Sequence, residues 1–401
     1  MPTNQELLDK DRVQKALIAA DALAAAGKLN PEQADKFIDY IIDQSMMKNN
    51  ARVVRFKPET MEINKLGLAK RVAMPAAEAR DPAHRRGIST SKIVLQPREI
   101  IVPFEISDTV LEINLEGPAL QDHIIQMMGK QTANDLEDLY INADPTGPAI
   151  LESDYIEGGS ATQYVLDAYM ALMTGWLRRS DSGHLFDAAG ANIGSTVFSR
   201  MLNQMPTKFR RNRKELRFYI SPDLEQLYRE KVSTRATQVG DTALQSEQVL
   251  TPFGVPMVSA PLFPFQPKIV EHLVLAVAPG TVTLRYKPLV TGSLKILPAT
   301  LGATPTTPFV EGVDYTVNYA TGVVTNVLLP GATYKFTYQA QPQMLLTHPN
   351  NFVVAIGRDI RIEKDRDIFK RVNQYVITLK VDVQLEETDA VVKGVNIGTG
   401  V

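Results

Sequence analysis

The chain has 401 residues, 44% hydrophobic and 22% charged, the balance of a packed globular protein with two or three folding units. Its 43 basic and 45 acidic residues leave a formal charge of −2, which argues against a free-standing nucleic-acid binder. The absence of cysteine excludes disulfides, thiolate zinc sites, iron–sulfur clusters and cysteine nucleophiles, and fits a reducing compartment.

Residues 1–48 read as two short helices. The first is alanine-rich and stops at Gly27, a left-handed terminator. Its apolar run at residues 16–26 carries Asp21 in the middle and makes a poor signal peptide, so the chain reads as soluble and cytoplasmic. The second starts with Asn30 as N-cap, Pro31 in the first turn and Gln33 at the capping-box position. Phe37, Ile38, Ile41 and Ile42 give it one apolar face. Two such helices bury little against each other, so this arm is expected to dock on something else.

From residue 52 the period changes. Residues 53–56 read as a strand, and Ile100, Val102, Phe104 and Ile106 alternate as a half-buried one. Between them residues 75–91 are polar and rich in breakers, which predicts a long β-hairpin with an exposed tip. Gly117-Pro118 then opens a helix of about 26 residues, ~40 Å long, ending before Asp144-Pro145. Leu120, Ile124, Met127, Met128, Leu136, Leu139 and Tyr140 trace its stripe, thinned by Gln131 and Thr132.

Residues 164–178 read as a helix, 217–220 as a strand, 222–232 as a helix after Ser221, and 251–262 as a turn followed by a strand. Residues 282–338 are purely β: Val282/Leu284/Tyr286, Tyr315/Val317/Tyr319 and Tyr334/Phe336/Tyr338 alternate, with turns at Gly312, Gly322 and Gly331. The clearest strand comes last, with Tyr375, Ile377, Leu379, Val381, Val383 and Leu385 on one face.

No active site emerges. The five histidines (His84, His123, His184, His272 and His348) share no metal-ligand spacing, and the chain has no phosphate loop, dinucleotide fingerprint or nucleophile elbow. The S-x-x-K match at residues 89–92 lacks the rest of its motif set. Residues 208–214 (KFRRNRK) hold five positive charges in seven residues and read either as a phosphate-binding patch or as a solvated loop. The distribution of charge says more. Residues 65–98 carry eight basic against two acidic side chains, a balance of +6, and residues 105–157 carry twelve acidic against one basic, a balance of −11. A basic hairpin and an acidic spine point to head-to-tail assembly, the arm of one copy on the spine of the next, or else to neutralisation within one chain.

The series of a two-helix arm, basic hairpin, spine helix, mixed region and β-rich return resembles the major capsid protein of tailed bacteriophages, whose fold is shared with herpesvirus capsid floors and encapsulins. The residues that carry the likeness are 27–42 (GKLNPEQADKFIDYII) for the arm, 93–106 (IVLQPREIIVPFEI) with 117–144 for the extended loop and spine, 251–262 for the axial strand, and 349–385 for the return. The resemblance implies an α+β fold. Its parts would be an N-terminal arm (1–50), an extended loop with the start of the peripheral domain (51–106), the spine helix (107–150) and an axial domain (151–278). An inserted small all-β, immunoglobulin-like domain (279–341) and a peripheral return (342–401) would complete it.

The same resemblance implies a structural protein, without enzymatic activity or cofactor, that forms hexamers and pentamers and closes into an icosahedral procapsid. That shell would be assembled in the host cytoplasm with scaffolding, portal and decoration proteins, and would enclose double-stranded DNA without sequence-specific or membrane binding. Arg71, Arg80, Arg85, Arg86 and Lys92 of the extended loop would touch a neighbouring subunit; Glu112, Glu116, Asp135, Glu137 and Asp138 would be the spine's contacts. Glu363, Lys364, Asp365, Arg366 and Asp367 would form a loop between capsomers. Some relatives crosslink lysine to asparagine, for which Lys65, Lys70, Lys92, Asn350 and Asn351 would be the candidates. Other readings of the chain are an encapsulin-type compartment shell and a phage decoration or adhesion protein.

Overall fold

A computed structural model describes residues 51–56, 60–67, 89–107, 119–156, 158–234, 250–299, 306–367 and 370–399. The two helices expected in residues 1–48 lie outside the described residues, as does most of the hairpin tip. Among the described residues no helix is long and apolar enough to cross a membrane.

Four strands come first: β1 (Arg52–Arg55), β2 (Met61–Gly67), β3 (Ser89–Leu95) and β4 (Arg98–Ser107). β2 and β3 pair antiparallel from Met61↔Leu95 to Gly67↔Ser89, the arms of the expected hairpin. Ser89–Ser91 therefore lie in a strand and do not open a helix, as S-x-x-K chemistry would require.

Helix α1 (Ala119–Asn142) follows. Its buried face runs through Thr132, Ala133, Leu136, Glu137, Leu139 and Tyr140. The expected stripe is correct in its second half but not at Met127, which is 59% exposed. Thr132, expected to thin the stripe, is buried instead, because its hydroxyl is satisfied by the Met128 carbonyl at 2.7 Å.

Next come β5 (Ala149–Leu151), α2 (Glu152–Tyr155), β6 (Tyr164–Leu166) and α3 (Trp176–Arg179). Residues 164–178 are thus not the expected helix. Tyr164 exchanges backbone hydrogen bonds with Thr306, and the Asp167 carboxylate takes the Met170 N–H at 3.1 Å. At the other end Gly175 N donates to Ala143 O at 2.8 Å, and a Cβ there would lie 2.7 Å from the backbone of Ile141 and Ala143. The apolar side chains that mimic a helical period pack one by one from turns.

β7 (His184–Asp187), α4 (Ser195–Gln204), β8 (Arg217–Ile220), α5 (Pro222–Ser233) and β9 (Met257–Ser259) complete the mixed region. α5 starts as expected, with Ser221 Oγ accepting from Leu224 N at 3.3 Å. Six strands then follow: β10 (Lys268–Leu275), β11 (Gly280–Thr283), β12 (Lys295–Pro298), β13 (Tyr315–Asn318), β14 (Val323–Asn326) and β15 (Ala332–Gln339). The chain returns through β16 (Met344–Thr347), β17 (Phe352–Asp367), β18 (Val372–Leu385) and β19 (Val392–Val395).

Three cores result. In the first, the sheet β1-β17-β18-β4 is covered by α1 and α3. β17 and β18 form one hairpin along their whole length, roughly 50 Å at ~3.3 Å per residue. Every second residue of β18 from Tyr375 to Leu385 is buried, as its alternation predicts. Trp176 fills the centre, 4.7 Å from the Phe352 ring, and its indole N–H donates to Gln384 O. In the second core, the sheet β7-β19-β16-β8-β9 packs against α4 and α5.

The third core is the β-segment, where sheets β10-β15-β12 and β11-β14-β13 enclose Tyr286, Tyr315, Phe336 and Tyr338. β10 pairs with β15 over all eight residues, so the sheet starts at Lys268, upstream of the first alternating triplet seen in the sequence.

Candidate assembly surfaces

The structure holds the β-segment to the rest of the chain with buried charge. Lys335 is 2% exposed, and its ammonium donates to Gly147 O. Lys268 donates to Ala149 O two residues along the same connection. Burial lowers both lysines, Lys335 to about 8. Asp181 gathers a second set of ties. Its Oδ1 accepts from Lys393 Nζ of β19 at 2.7 Å and from the Tyr286 hydroxyl at 2.8 Å. Its Oδ2 lies 3.2 Å from Arg178 and 3.7 Å from Arg285. Burial alone would raise the Asp181 carboxyl, but Lys393, Tyr286 and Arg285 hold it below the usual range. Between these ties lies a cavity of about 340 Å³ whose walls include Asp138, Asp167, Lys268, Tyr286 and Gln343. Sequence spacing does not show these partners: Asp181 and Lys393 are 212 positions apart.

The residues expected to touch neighbours fall into three places. On the extended hairpin, Lys92 is exposed on β3 with its ammonium 2.7 Å from Glu62 on β2, so its charge is partly matched within the arm. Arg71, Arg80, Arg85 and Arg86 lie outside the described residues, as do Glu112 and Glu116 of the spine.

On α1, Asp135 is exposed and accepts from Gln131 at 2.7 Å. Asp138 is half-buried and accepts from Asn142 at 2.5 Å; burial raises its carboxyl, and Asp135 and Asp167 add to the rise. Glu137 is only 4% exposed and departs from the expectation of a surface contact. It stands four residues after Ala133 and three before Tyr140, which puts it on the helix face turned to the core.

The third place corrects the sequence reading. Glu363, Lys364, Asp365, Arg366 and Asp367 are not a loop but the last five residues of β17, paired from Glu363↔Val376 to Asp367↔Val372. Five consecutive charged residues carry no alternation of their own. Their strand is set by β18, whose alternating face is held from the other side by β4, in register from Val372↔Ser107 to Val381↔Arg98. The charges line the distal end of the long hairpin. Glu363 lies 3.4 Å from Arg361, Lys364 Nζ is 5.6 Å from the Tyr375 ring centre, and Asp367 lies 3.9 Å from Lys370.

Two further candidates resolve structurally. The basic residues 208–214 form turns between α4 and β8, where Lys208 faces Asp389 at 3.6 Å and Arg210 bonds Asn203 at 3.0 Å. Asn351, a crosslink candidate, is buried and engaged on both sides: its amide donates to Thr347 Oγ1 and Glu387 O, and its carbonyl takes Glu387 N at 2.7 Å. Asn350 beside it is exposed. Among the described residues no group of three His, Asp or Glu could hold a metal ion.

No protein-family model matches the chain. It is 28% identical over 396 residues to YqbE of Bacillus subtilis (strain 168), a protein named as a prophage capsid protein, covering 98% of this chain and 99% of the relative. Among solved structures, a subunit of the satellite phage P4 procapsid, determined with its size determination (Sid) protein, superposes with a TM-score of 0.52 at 11% identity over 98% of both chains. The capsid of an empty GTA particle gives 0.48 at 10% identity, over 99% of this chain and all of the other. The chain has the α+β capsid-protein fold of tailed bacteriophages, and it is similar to a prophage capsid protein along almost its whole length.

Proposed function

We propose that the protein is the structural subunit of an icosahedral viral shell. Copies form hexamers and pentamers, these close into a procapsid, and the shell encloses packaged double-stranded DNA. The observation that carries the reading is the likeness to a named prophage capsid protein over nearly the full length of both chains. The shared fold with a procapsid subunit supports it independently. In this reading the protein performs no catalysis, takes no cofactor and resides in the virion. Scaffolding and portal proteins are its partners during assembly in the host cytoplasm.

The described geometry supports specific contacts. The hairpin β2–β3 reaches a neighbour with Lys92 and, in sequence, Arg71, Arg80, Arg85 and Arg86. The receiving spine presents Asp135 and the half-buried Asp138, with Glu112 and Glu116 preceding them in sequence; Glu137 stays inside. The charged end of β17 meets an adjacent capsomer as a stiff strand, so its charges keep a fixed spacing.

The test is particle formation in cells that express the chain with the genes adjacent to its own. Purified particles showing five- and six-fold clusters and nuclease-protected double-stranded DNA are expected. Particles filled with one protein cargo and free of DNA would move the chain to the compartment-shell reading.

A further inference from the structure

The cavity of about 340 Å³ between α1 and the β-segment has the size of a small-molecule site. Its walls come from elements far apart in the chain: Asp138 from α1, Asp167 just after β6, Lys268 and Val270 from β10, and Gln343 just before β16. Three of these groups carry chemistry that the fold does not use. Among the described residues neither Asp138 nor Asp167 is in an ion pair; the first accepts from Asn142 and the second from Met170 N. Burial, Asp135 and Asp167 all push the Asp138 carboxyl up, and the Asn142 amide alone pulls it down, so no cation offsets it. Gln343 is 1% exposed, and its amide nitrogen has no hydrogen-bond partner. A buried amide donor without an acceptor destabilises a fold unless something else supplies one.

The other acids on the wall are engaged. Asp181 is held by Lys393, Tyr286 and Arg178, and Asp144 accepts from the Thr146 backbone and hydroxyl with Arg178 at 3.9 Å. The three unused groups then select a ligand by exclusion. A simple anion would meet the Asp138 and Asp167 carboxylates. A simple cation would leave the Gln343 N–H without an acceptor and would face Lys268 on the same wall. A molecule with an ammonium at one end and a carboxylate at the other answers both demands, with charge-assisted hydrogen bonds at each end. Ile150, Met170, Leu177 and Val270 supply apolar wall for the carbon skeleton between or beside those ends.

We infer that this cavity binds a small amino acid zwitterion, its ammonium at Asp138 and Asp167 and its carboxylate on the Gln343 amide. The inference goes beyond the shell reading and does not depend on it. A bound amino acid would join α1 to β10 and to the start of β16, a third tie beside those made by Lys335 and Asp181. Unlike them it would strengthen and weaken with the concentration of its ligand.

The test is thermal unfolding of the full-length protein with millimolar amino acids, one at a time. The panel holds the protein amino acids together with 4-aminobutanoate and 6-aminohexanoate, which span a range of separations between ammonium and carboxylate. At least one is expected to raise the unfolding midpoint saturably, with binding confirmed by calorimetry. Its one-ended analogues, which for leucine are 3-methylbutylamine and 4-methylpentanoate, are each expected to bind at least about tenfold more weakly. Asp138→Asn and Asp167→Asn keep the hydrogen bonds to Asn142 and Met170 but lose the charge, and each is expected to weaken binding by about tenfold or more. Gln343→Met removes the unpaired donor at similar volume; it is expected to weaken binding several-fold without lowering the midpoint of the ligand-free chain. The inference is overturned if no member of the panel raises the midpoint, as a cavity filled by water alone would give. It is overturned as well if an amine alone binds as tightly as the zwitterion, or if the variants that fold bind as tightly as the unaltered chain.

Discussion

Asp181 joins stretches of chain that are far apart in sequence, and its chemistry sets how they come undone. Its folded carboxyl is held below the unfolded value of about 3.9, so its contribution is present above that value and is lost as pH falls through the folded one. Asp181→Asn leaves the Lys393 ammonium buried without its counter-charge and is expected to cost about 3–5 kcal/mol in urea unfolding at pH 7. The deficit should shrink as the pH drops below about 4; a constant deficit under about 1 kcal/mol would mean the cluster is not a tie. Lys335 runs with the opposite sign. Its folded value of about 8 lies below the ~10.4 of an exposed lysine, so the folded state binds fewer protons between these limits and stability rises with pH there. Lys335→Met removes that dependence. Relative to the variant, the unaltered chain should gain up to about 3 kcal/mol between pH 7 and pH 10, read from denaturant midpoints. Parallel curves for the two proteins would show that Lys335 is not held in a desolvated place.

The elements differ in how far their own residues announce them. α5 was legible because Ser221, Pro222 and an amphipathic run all point one way, and β18 because its alternation is unbroken. Ser221→Ala should cost about 1 kcal/mol, measured by thermal unfolding. Residues 164–178 mislead because their apolar spacing is helical, whereas the backbone is claimed by Thr306, by the Asp167 side chain and by the close pass of Gly175 against the end of α1. The distal end of β17 hides for the converse reason: five charged residues have no apolar period, and their strand is imposed by the partners across the turn, from Val376 opposite Glu363 to Val372 opposite Asp367. Glu363 and Asp365 are exposed on this strand and do little for the subunit alone. Glu363→Lys with Asp365→Lys should change unfolding of the free subunit by less than about 1 kcal/mol, since each exposed pair contributes only tenths. The same double variant should cut particle yield sharply at low salt, by light scattering. A large loss of subunit stability would place these charges inside the fold's own energetics instead of at a contact.

At the scale of the whole molecule, charge segregation was readable early because it needs only counting: a +6 hairpin and a −11 spine stand side by side in the chain. Which of those charges are available was not readable. It depends on helix phase, which buries Glu137 and exposes Asp135, and on a cross-strand partner, Glu62, for Lys92. The extent of the β-segment was also hidden, because β10 joins its sheet through backbone pairing with a strand more than fifty residues later. The ties that turn three cores into one subunit are likewise long-range, and only the fold brings Lys335 to Gly147 or Lys393 to Asp181. All of these features serve the claim that many copies of this chain build a closed shell. Sedimentation of the full-length protein, with electron micrographs of the fast fraction, tests that claim most directly. The account predicts closed shells tens of nanometres across, or rings of five and six copies that precede them. A protein that sediments as a monomer at high concentration, with scaffolding protein supplied and salt varied, would contradict it.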